Sequence, residues 1–234
     1  MLTAIREDRG GRFVFRSGLV IHSYDGFGSG VILEQLTSFQ YGSIPYNSTV
    51  IDIGAHIGTF TLQAAKAHPL NCIYAYEPLP TNFKILKKNI QSNNFNERIF
   101  CFPYAVSGKR GLRQLAQRGS PHSSFSRAND EKYINVKTLT LSDIFKQNNI
   151  NQCSLLKLDC EGAEFEILYN TPKEILKRIQ KIVMEYHIIS NNPNERLPKL
   201  ISFLRMHGYK VTKCQENRQQ ANIGIIWAEQ SNNN

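Results

Sequence analysis

No stretch of the chain approaches the ~18 consecutive apolar residues that a membrane-spanning helix needs. The first sixteen residues mix charged and apolar side chains and hold no apolar h-region, which argues against a secretory signal. The five cysteines (Cys72, Cys101, Cys153, Cys160 and Cys214) are odd in number and form no C-x-x-C pair. A disulfide framework or a structural zinc site is therefore not expected. Cys72, Cys101 and Cys153 adjoin strand-like apolar runs and read as small core residues in a reducing, cytoplasmic compartment. The three-glycine fingerprint of dinucleotide enzymes is missing, because Gly26-Phe-Gly-Ser-Gly30 follows no convincing buried strand. The phosphate-loop pattern G-x-x-x-x-G-K-[ST] is missing too. Acidic residues are scarce, 19 against 28 basic ones, which leaves a formal net charge of +9. Between Arg98 and Asn129 there is no acidic residue at all, against six basic ones. That run is either a solvated basic face or a loop facing an anionic substrate.

What is present is ordinary globular composition. With 234 residues, 41% hydrophobic and 20% charged, one large domain can bury about 70% of its unfolded surface. Phe13–Ile21 alternates around Arg16-Ser17-Gly18 and predicts a hairpin. A helix striped by Val31, Leu33, Leu36 and Phe39 follows. Residues 1–45 read as a hairpin and helix packed on a core formed by 46–234. In that core, short apolar runs alternate with amphipathic segments. Strands are expected at Thr49–Ile53, Cys72–Tyr76, Ile99–Phe102, Val136–Leu141, Leu155–Leu158 and Ile182–Ile188. Helices are expected at Thr59–Ala67, after a cap at Thr81, from Ser142, and at Pro198–Met206. Tyr209–Lys213 and Ile223–Ala228 lack a helix between them and predict an antiparallel pair at the sheet edge. The pattern specifies an α/β fold: a mostly parallel sheet with helices on both faces, binding ligands at the carboxyl ends of its strands. The less regular basic stretch Ser107–Asn129, with Ser120-Pro-His-Ser-Ser-Phe125 inside it, is the candidate acceptor-side lid.

The chemistry-bearing motif is Val50-Ile-Asp-Ile-Gly-Ala-His-Ile-Gly58, a D-x-G-x-x-x-G turn between strand and helix. Gly54 permits a tight turn and close ligand approach; Gly58 permits close packing at the helix start. The helix N-terminus offers N–H groups to a carboxylate, and Asp52 can accept from an ammonium group. Glu77 ends the next strand, 25 residues on, where a carboxylate can accept both hydroxyls of a ribose. An amino-acid end and a ribose end together describe S-adenosylmethionine. The candidate cofactor-binding set is Asp52, Gly54, Ala55, His56, Gly58, Thr59, Glu77, Pro78, Ala105 and Asp159.

The run Ile51–Gly58, then Glu77-Pro78, then Leu156-Lys-Leu-Asp-Cys-Glu-Gly-Ala-Glu164 resembles the FkbM family of S-adenosylmethionine-dependent methyltransferases. The resemblance spans roughly residues 45 to 190, and K-x-D-x-E-G-x-E is its most specific piece. It implies a class I methyltransferase, Rossmann-like fold with a seven-stranded sheet. It also implies methylation of hydroxyl groups on sugars or related metabolites. His56 stands where Asn is more usual in that family. The short N-terminal portion shows no separate substrate domain, which leaves the acceptor open.

Lys157, Asp159 and Glu161 alternate and are expected to share one side of an extended segment, Lys157 pairing with Asp159 or Glu161. Glu164 and Glu166 fall in the first turn of a helix, where they suit its dipole. Glu185 and His187 flank Tyr186 near the end of the fifth strand, with His187 as the leading base for an acceptor hydroxyl. The candidate catalytic residues are thus Asp159, His187, Lys157, Glu161 and Glu185. Asp159, Glu185 and His187 could instead hold a divalent Mg²⁺ or Mn²⁺. Two other functions remain open. One is a nucleic-acid methyltransferase, favoured by charge but lacking the [DN]-P-P-[YF] block and a Pro-Cys nucleophile. The other is a nucleoside-binding module without turnover. The preferred partner is a small-molecule or glycan acceptor, and the basic stretch would suit an anionic glycan or a nucleotide-linked sugar.

Overall fold

The computed structural model describes residues 4–8, 11–23, 41–117, 132–188, 196–216 and 222–231. The expected helix through Val31 and Phe39, and the Ser120–Phe125 part of the basic stretch, lie outside these residues.

A small N-terminal sheet is formed by β1 (Ala4–Asp8), β2 (Arg12–Phe15) and β3 (Val20–His22), all antiparallel. The expected hairpin is present, with Phe13 opposite Ile21 and Gly18 at φ +83°. The central strands are β4 (Thr49–Ile53), β5 (Cys72–Tyr76), β6 (Ile99–Phe102), β10 (Leu155–Leu158) and β11 (Lys181–His187). They are parallel, and the apolar runs of β4, β10 and β11 suit strands buried on both faces. β12 (Tyr209–Glu216) and β13 (Ile223–Gln230) complete a seven-stranded sheet of order β12-β13-β11-β10-β4-β5-β6. β13 runs antiparallel to both its neighbours. This is the class I methyltransferase architecture. The chain departs from β4 in one direction through β5 and β6 and returns on the other side through β10. The point where strand order reverses therefore lies between β4 and β10, where ligands of such sheets bind.

Two apolar cores cover the two sheet faces. Ile51, Ile53, Leu156, Leu158, Ile182 and Met184 belong to one. Val50, Leu155 and Val183 belong to the other, together with Phe13, Phe15 and Ile21 of the hairpin. Side-chain amides fasten the hairpin down. Asn93 accepts from Val20 N and donates to Val20 O (2.9 and 2.7 Å); Asn89 does the same with His22 (2.6 and 3.0 Å). Asn89 also donates to Ile57 O at 2.8 Å.

The helices are α1 (Thr59–Ala67), α2 (Pro80–Ser92), α3 (Leu141–Gln147), α4 (Glu164–Tyr169), α5 (Lys173–Leu176) and α6 (Leu197–Met206). Two expected starts move. Thr81 lies inside α2, which begins on Pro80 after an extended Leu79, because proline's fixed φ suits the first helical position. Thr140, not Ser142, starts α3: its hydroxyl accepts from Asp143 N while Asp143 accepts from Thr140 N.

The basic stretch is also more regular than expected. β8 (Gly111–Gln117) pairs antiparallel with β9 (Lys132–Leu139), which pairs with the short β7 (Ala105–Val106). Within it, Arg110 is paired with Asp143 and Arg113 with Glu166, and Arg98 donates to the carbonyls of Ala65 and His68. Much of that charge is therefore answered by the protein itself. Among the described residues no helix is long and apolar enough to cross a membrane.

Candidate active site

The turn after β4 is pinned by its own backbone: Gly54 N and Ala55 N both donate to Tyr76 O at 3.0 Å. Gly54 adopts φ +78°, and a Cβ there would come within 1.7 Å of Asp159 O. Its glycine is required by the neighbouring strand end, a reason beyond the ligand approach read from the sequence. Gly58, at φ +94°, lets the helix start pack on Leu86, as expected. His56 sits at φ +53°, a left-handed conformation in which asparagine, aspartate and histidine are enriched among non-glycine residues. His56 N donates to Glu77 Oε2 (2.8 Å); Leu79 N and Asn82 Nδ2 donate to Glu77 Oε1 (2.9 and 3.3 Å). Burial raises the Glu77 pKa, opposed by these donors. Burial likewise lowers that of His56. α1 begins without a side-chain cap and with no acidic residue in its first turn. Its positive end would favour an anion placed beside it. Ala55 and Thr59 are buried in the same turn, Pro78 follows Glu77, and Ala105 lies on β7 opposite Thr138.

β4 and β10 pair with Asp52 opposite Lys157, which places a carboxylate and an ammonium side by side. Lys157 Nζ is 3.1 Å from Asp52 Oδ1, donates to Gly54 O at 2.8 Å, and lies 3.6 Å from Asp159 Oδ2. Thr61 donates to Asp52 Oδ2 at 2.5 Å. Burial alone would lower the Lys157 pKa, but Asp52 and Asp159 hold it above the usual lysine value. Lys157 thus pairs chiefly with Asp52 and not with Glu161. Asp52 is fully buried, so its carboxylate serves Lys157 and Thr61 instead of facing open space.

One step beyond the β10–β11 pairing, Asp159 lies level with Glu185. Between them comes the hydroxyl of Tyr41, 2.9 Å from Asp159 Oδ2 and 3.4 Å from Glu185 Oε2. Burial, with Asp159 nearby, pushes Glu185 up to about 7. Burial also raises the Tyr41 phenol beyond its ordinary range.

Glu161 departs from the expected alternation. β10 ends at Leu158, and Glu161 takes φ +58°, so its side chain swings outward and is 81% exposed. Among the described residues it reaches His187 Nε2, at 3.7 Å. Glu164 is buried completely and is more than a helix-dipole partner. It accepts from Cys160 N and Gly162 N and is 3.1 Å from His187 Nδ1. As a carboxylate it only accepts, so it fixes the proton of His187 on Nδ1. Burial would lower the His187 pKa, but the bond to Glu164 and the surrounding carboxylates raise it to about 9. A raised folded value means that the charged imidazole stabilises the fold below about 6.5 and stops doing so as pH climbs through 9. A histidine-resolved NMR titration is expected to show a midpoint near 9 for His187, and Glu164→Gln to bring it down. A His187 midpoint indifferent to Glu164→Gln would refute the pairing.

The donor atoms that converge are those of Asp159, Glu161 and His187, within 4.8 Å of one another, and not the trio with Glu185. Sequence reasoning missed Tyr41, Thr61 and the orienting role of Glu164. Thr61 had a faint signal, lying on the helix that starts just after the Asp52 turn; Tyr41 had none.

The methyltransferase FkbM domain model matches residues 52–211. The chain belongs to this family. It is 26% identical over 197 residues to the 31-O-demethyl-FK506 methyltransferase FkbM of Streptomyces tacrolimicus, covering 71% of this chain and 74% of that protein. It is 23% identical over 137 residues to the hexuronic acid methyltransferase AglP of Haloferax volcanii, covering 58% and 54%. Its fold is like that of TrmK of M. capricolum, solved with S-adenosylhomocysteine: TM-score 0.53, 12% identity, 85% of this chain and 68% of that one. The protein is an S-adenosylmethionine-dependent methyltransferase. The donor set suits that cofactor: an uncapped helix start for a carboxylate and a buried carboxylate at Glu77 for hydroxyl donors.

Proposed function

We propose that this FkbM-family member methylates a hydroxyl group of a sugar, a glycan or a related small metabolite. The observation that supports the reading is the Tyr41 hydroxyl held by Asp159 beside Glu185, an O–H group already seated against these carboxylates. The names of the two relatives, one a 31-O-demethyl-FK506 and one a hexuronic acid methyltransferase, point the same way. S-adenosylmethionine supplies, when bound, a methyl group on a positively charged sulfur. Glu77, with the Gly54–Gly58 turn and the start of α1, binds the donor; Asp52 acts on the site through Lys157. Asp159 and Glu185 orient the acceptor and receive its proton. His187, expected from the sequence to be the leading base, instead supports them as a cation, since Glu164 and its neighbours keep it protonated at neutral pH. A nucleic-acid acceptor loses support from the internally paired arginines.

Titration calorimetry with S-adenosylhomocysteine is expected to show binding that Glu77→Gln weakens at least about tenfold, with the melting transition retained. Incubation with S-adenosylmethionine and a panel of hexoses and uronic acids is expected to yield O-methyl products by mass spectrometry. Methylation confined to nitrogen or carbon would refute the reading. Turnover that survives EDTA excludes a required metal; turnover that EDTA abolishes would assign one to Asp159, Glu161 and His187.

A further inference from the structure

Tyr41 closes the carboxyl ends of β10 and β11 with a single side chain. Its oxygen lies 2.9 Å from Asp159 and 3.4 Å from Glu185. Its ring lies 5.3 Å from Lys157 Nζ and 5.2 Å, edge to face, from the Phe60 ring. A phenol has one proton, so it satisfies one carboxylate oxygen and only approaches the other.

We propose that the Tyr41 hydroxyl occupies the seat of the substrate hydroxyl, so that acceptors enter by displacing Tyr41 and are sorted by that exchange. This rests on the hydroxyl-methylating reading above. An alcohol replaces the phenol in kind: one O–H···O bond is given up and another is formed, and no carboxylate is left without a donor. A group with no proton to give does not replace the hydrogen bond that Tyr41 supplies to Asp159 Oδ2. An anionic group adds repulsion from both carboxylates. With the phenol turned aside, an occupant meets an aromatic wall at Phe60 and acceptors at Asp159 and Glu185. That combination suits a neutral hydroxylated ring, such as a pyranose, and directs any charge the substrate carries away from this point.

The test uses the whole chain and methyl α-D-glucopyranoside as probe, measured by NMR saturation transfer with S-adenosylhomocysteine present. Tyr41→Ala is expected to bind the probe about five- to tenfold more tightly than the natural chain, the worth of one competing hydrogen bond. Tyr41→Phe, which keeps the ring but not the hydroxyl, is expected to fall between them. Affinity for S-adenosylhomocysteine alone is expected to stay within about twofold in both variants. Equal or weaker probe binding by both variants overturns the proposal, as does a Tyr41→Ala protein that binds S-adenosylhomocysteine and takes up no probe. Tighter probe binding by Tyr41→Ala with no hydroxyl acceptor ever methylated would uphold the seat and overturn the reaction assigned to it.

Discussion

Lys157→Met is expected to destabilise the protein by about 3–5 kcal/mol, because it strands a buried carboxylate without its counter-charge. Lys157 and Asp52 are 4% and 0% exposed at the side chain, and Asp52 Oδ1 has Lys157 Nζ at 3.1 Å but no aligned hydrogen bond. Remove the ammonium, and that oxygen has nothing to offset its desolvation. Gly54 O loses a donor at the same time. Asp52→Asn combined with Lys157→Met is expected to recover part of the loss, since the double variant buries no charge. Urea denaturation of the two single variants and the double variant decides this: the single-variant penalties should exceed the double-variant penalty. Strict additivity would mean that the two groups act separately. Methyl transfer is expected to fall along with stability in Lys157→Met, because Lys157 also lies 3.6 Å from Asp159.

Gly54→Ala is expected to be as damaging for a different reason. The new Cβ would stand 1.7 Å from Asp159 O and 2.7 Å from its carbonyl carbon. Both are backbone atoms, so no side chain can rotate away. The left-handed conformation itself costs a non-glycine residue about 1–2 kcal/mol. Relief requires β4 and the end of β10 to part, which shifts Asp159 out of its position against Tyr41 and Glu185. A loss of more than about 3 kcal/mol, or failure to fold, is expected. Gly58→Ala makes a fair comparison: its Cβ meets Leu86 Cδ1 at 2.6 Å, the far end of a flexible side chain, and should be the milder change. Thermal unfolding of the two variants would contradict the argument if Gly54→Ala melted with the natural chain.

The central sheet was legible because its strands are buried on both faces, and runs such as Val50–Ile53 and Leu155–Leu158 announce this directly. β8 was not, since Leu112 is 70% exposed and the segment alternates only weakly. Helix starts shifted by one or two residues, because capping depends on the backbone entering the helix as well as on the residue type. Within the site, Asp52, Glu77, Asp159 and His187 could be named from motif and position. Of the partners, only the approach of Lys157 to Asp159 could. Lys157 faces Asp52 through strand register, and Glu161 turns outward through a left-handed residue that nothing in its type announces. Tyr41 is 118 residues from Asp159 and 144 from Glu185, a separation that no local pattern encodes.

The amides of Asn89 and Asn93 do for β3 what another strand would do. They supply a donor and an acceptor to each of Val20 and His22, from a helix and not a sheet. The β3 rim of that small sheet is thereby quenched at Val20 and His22, where a foreign polypeptide would otherwise be stitched on. A chain whose hairpin came loose from α2 would bare this rim, and self-association into aggregates, more than any loss of catalysis, would be the first symptom.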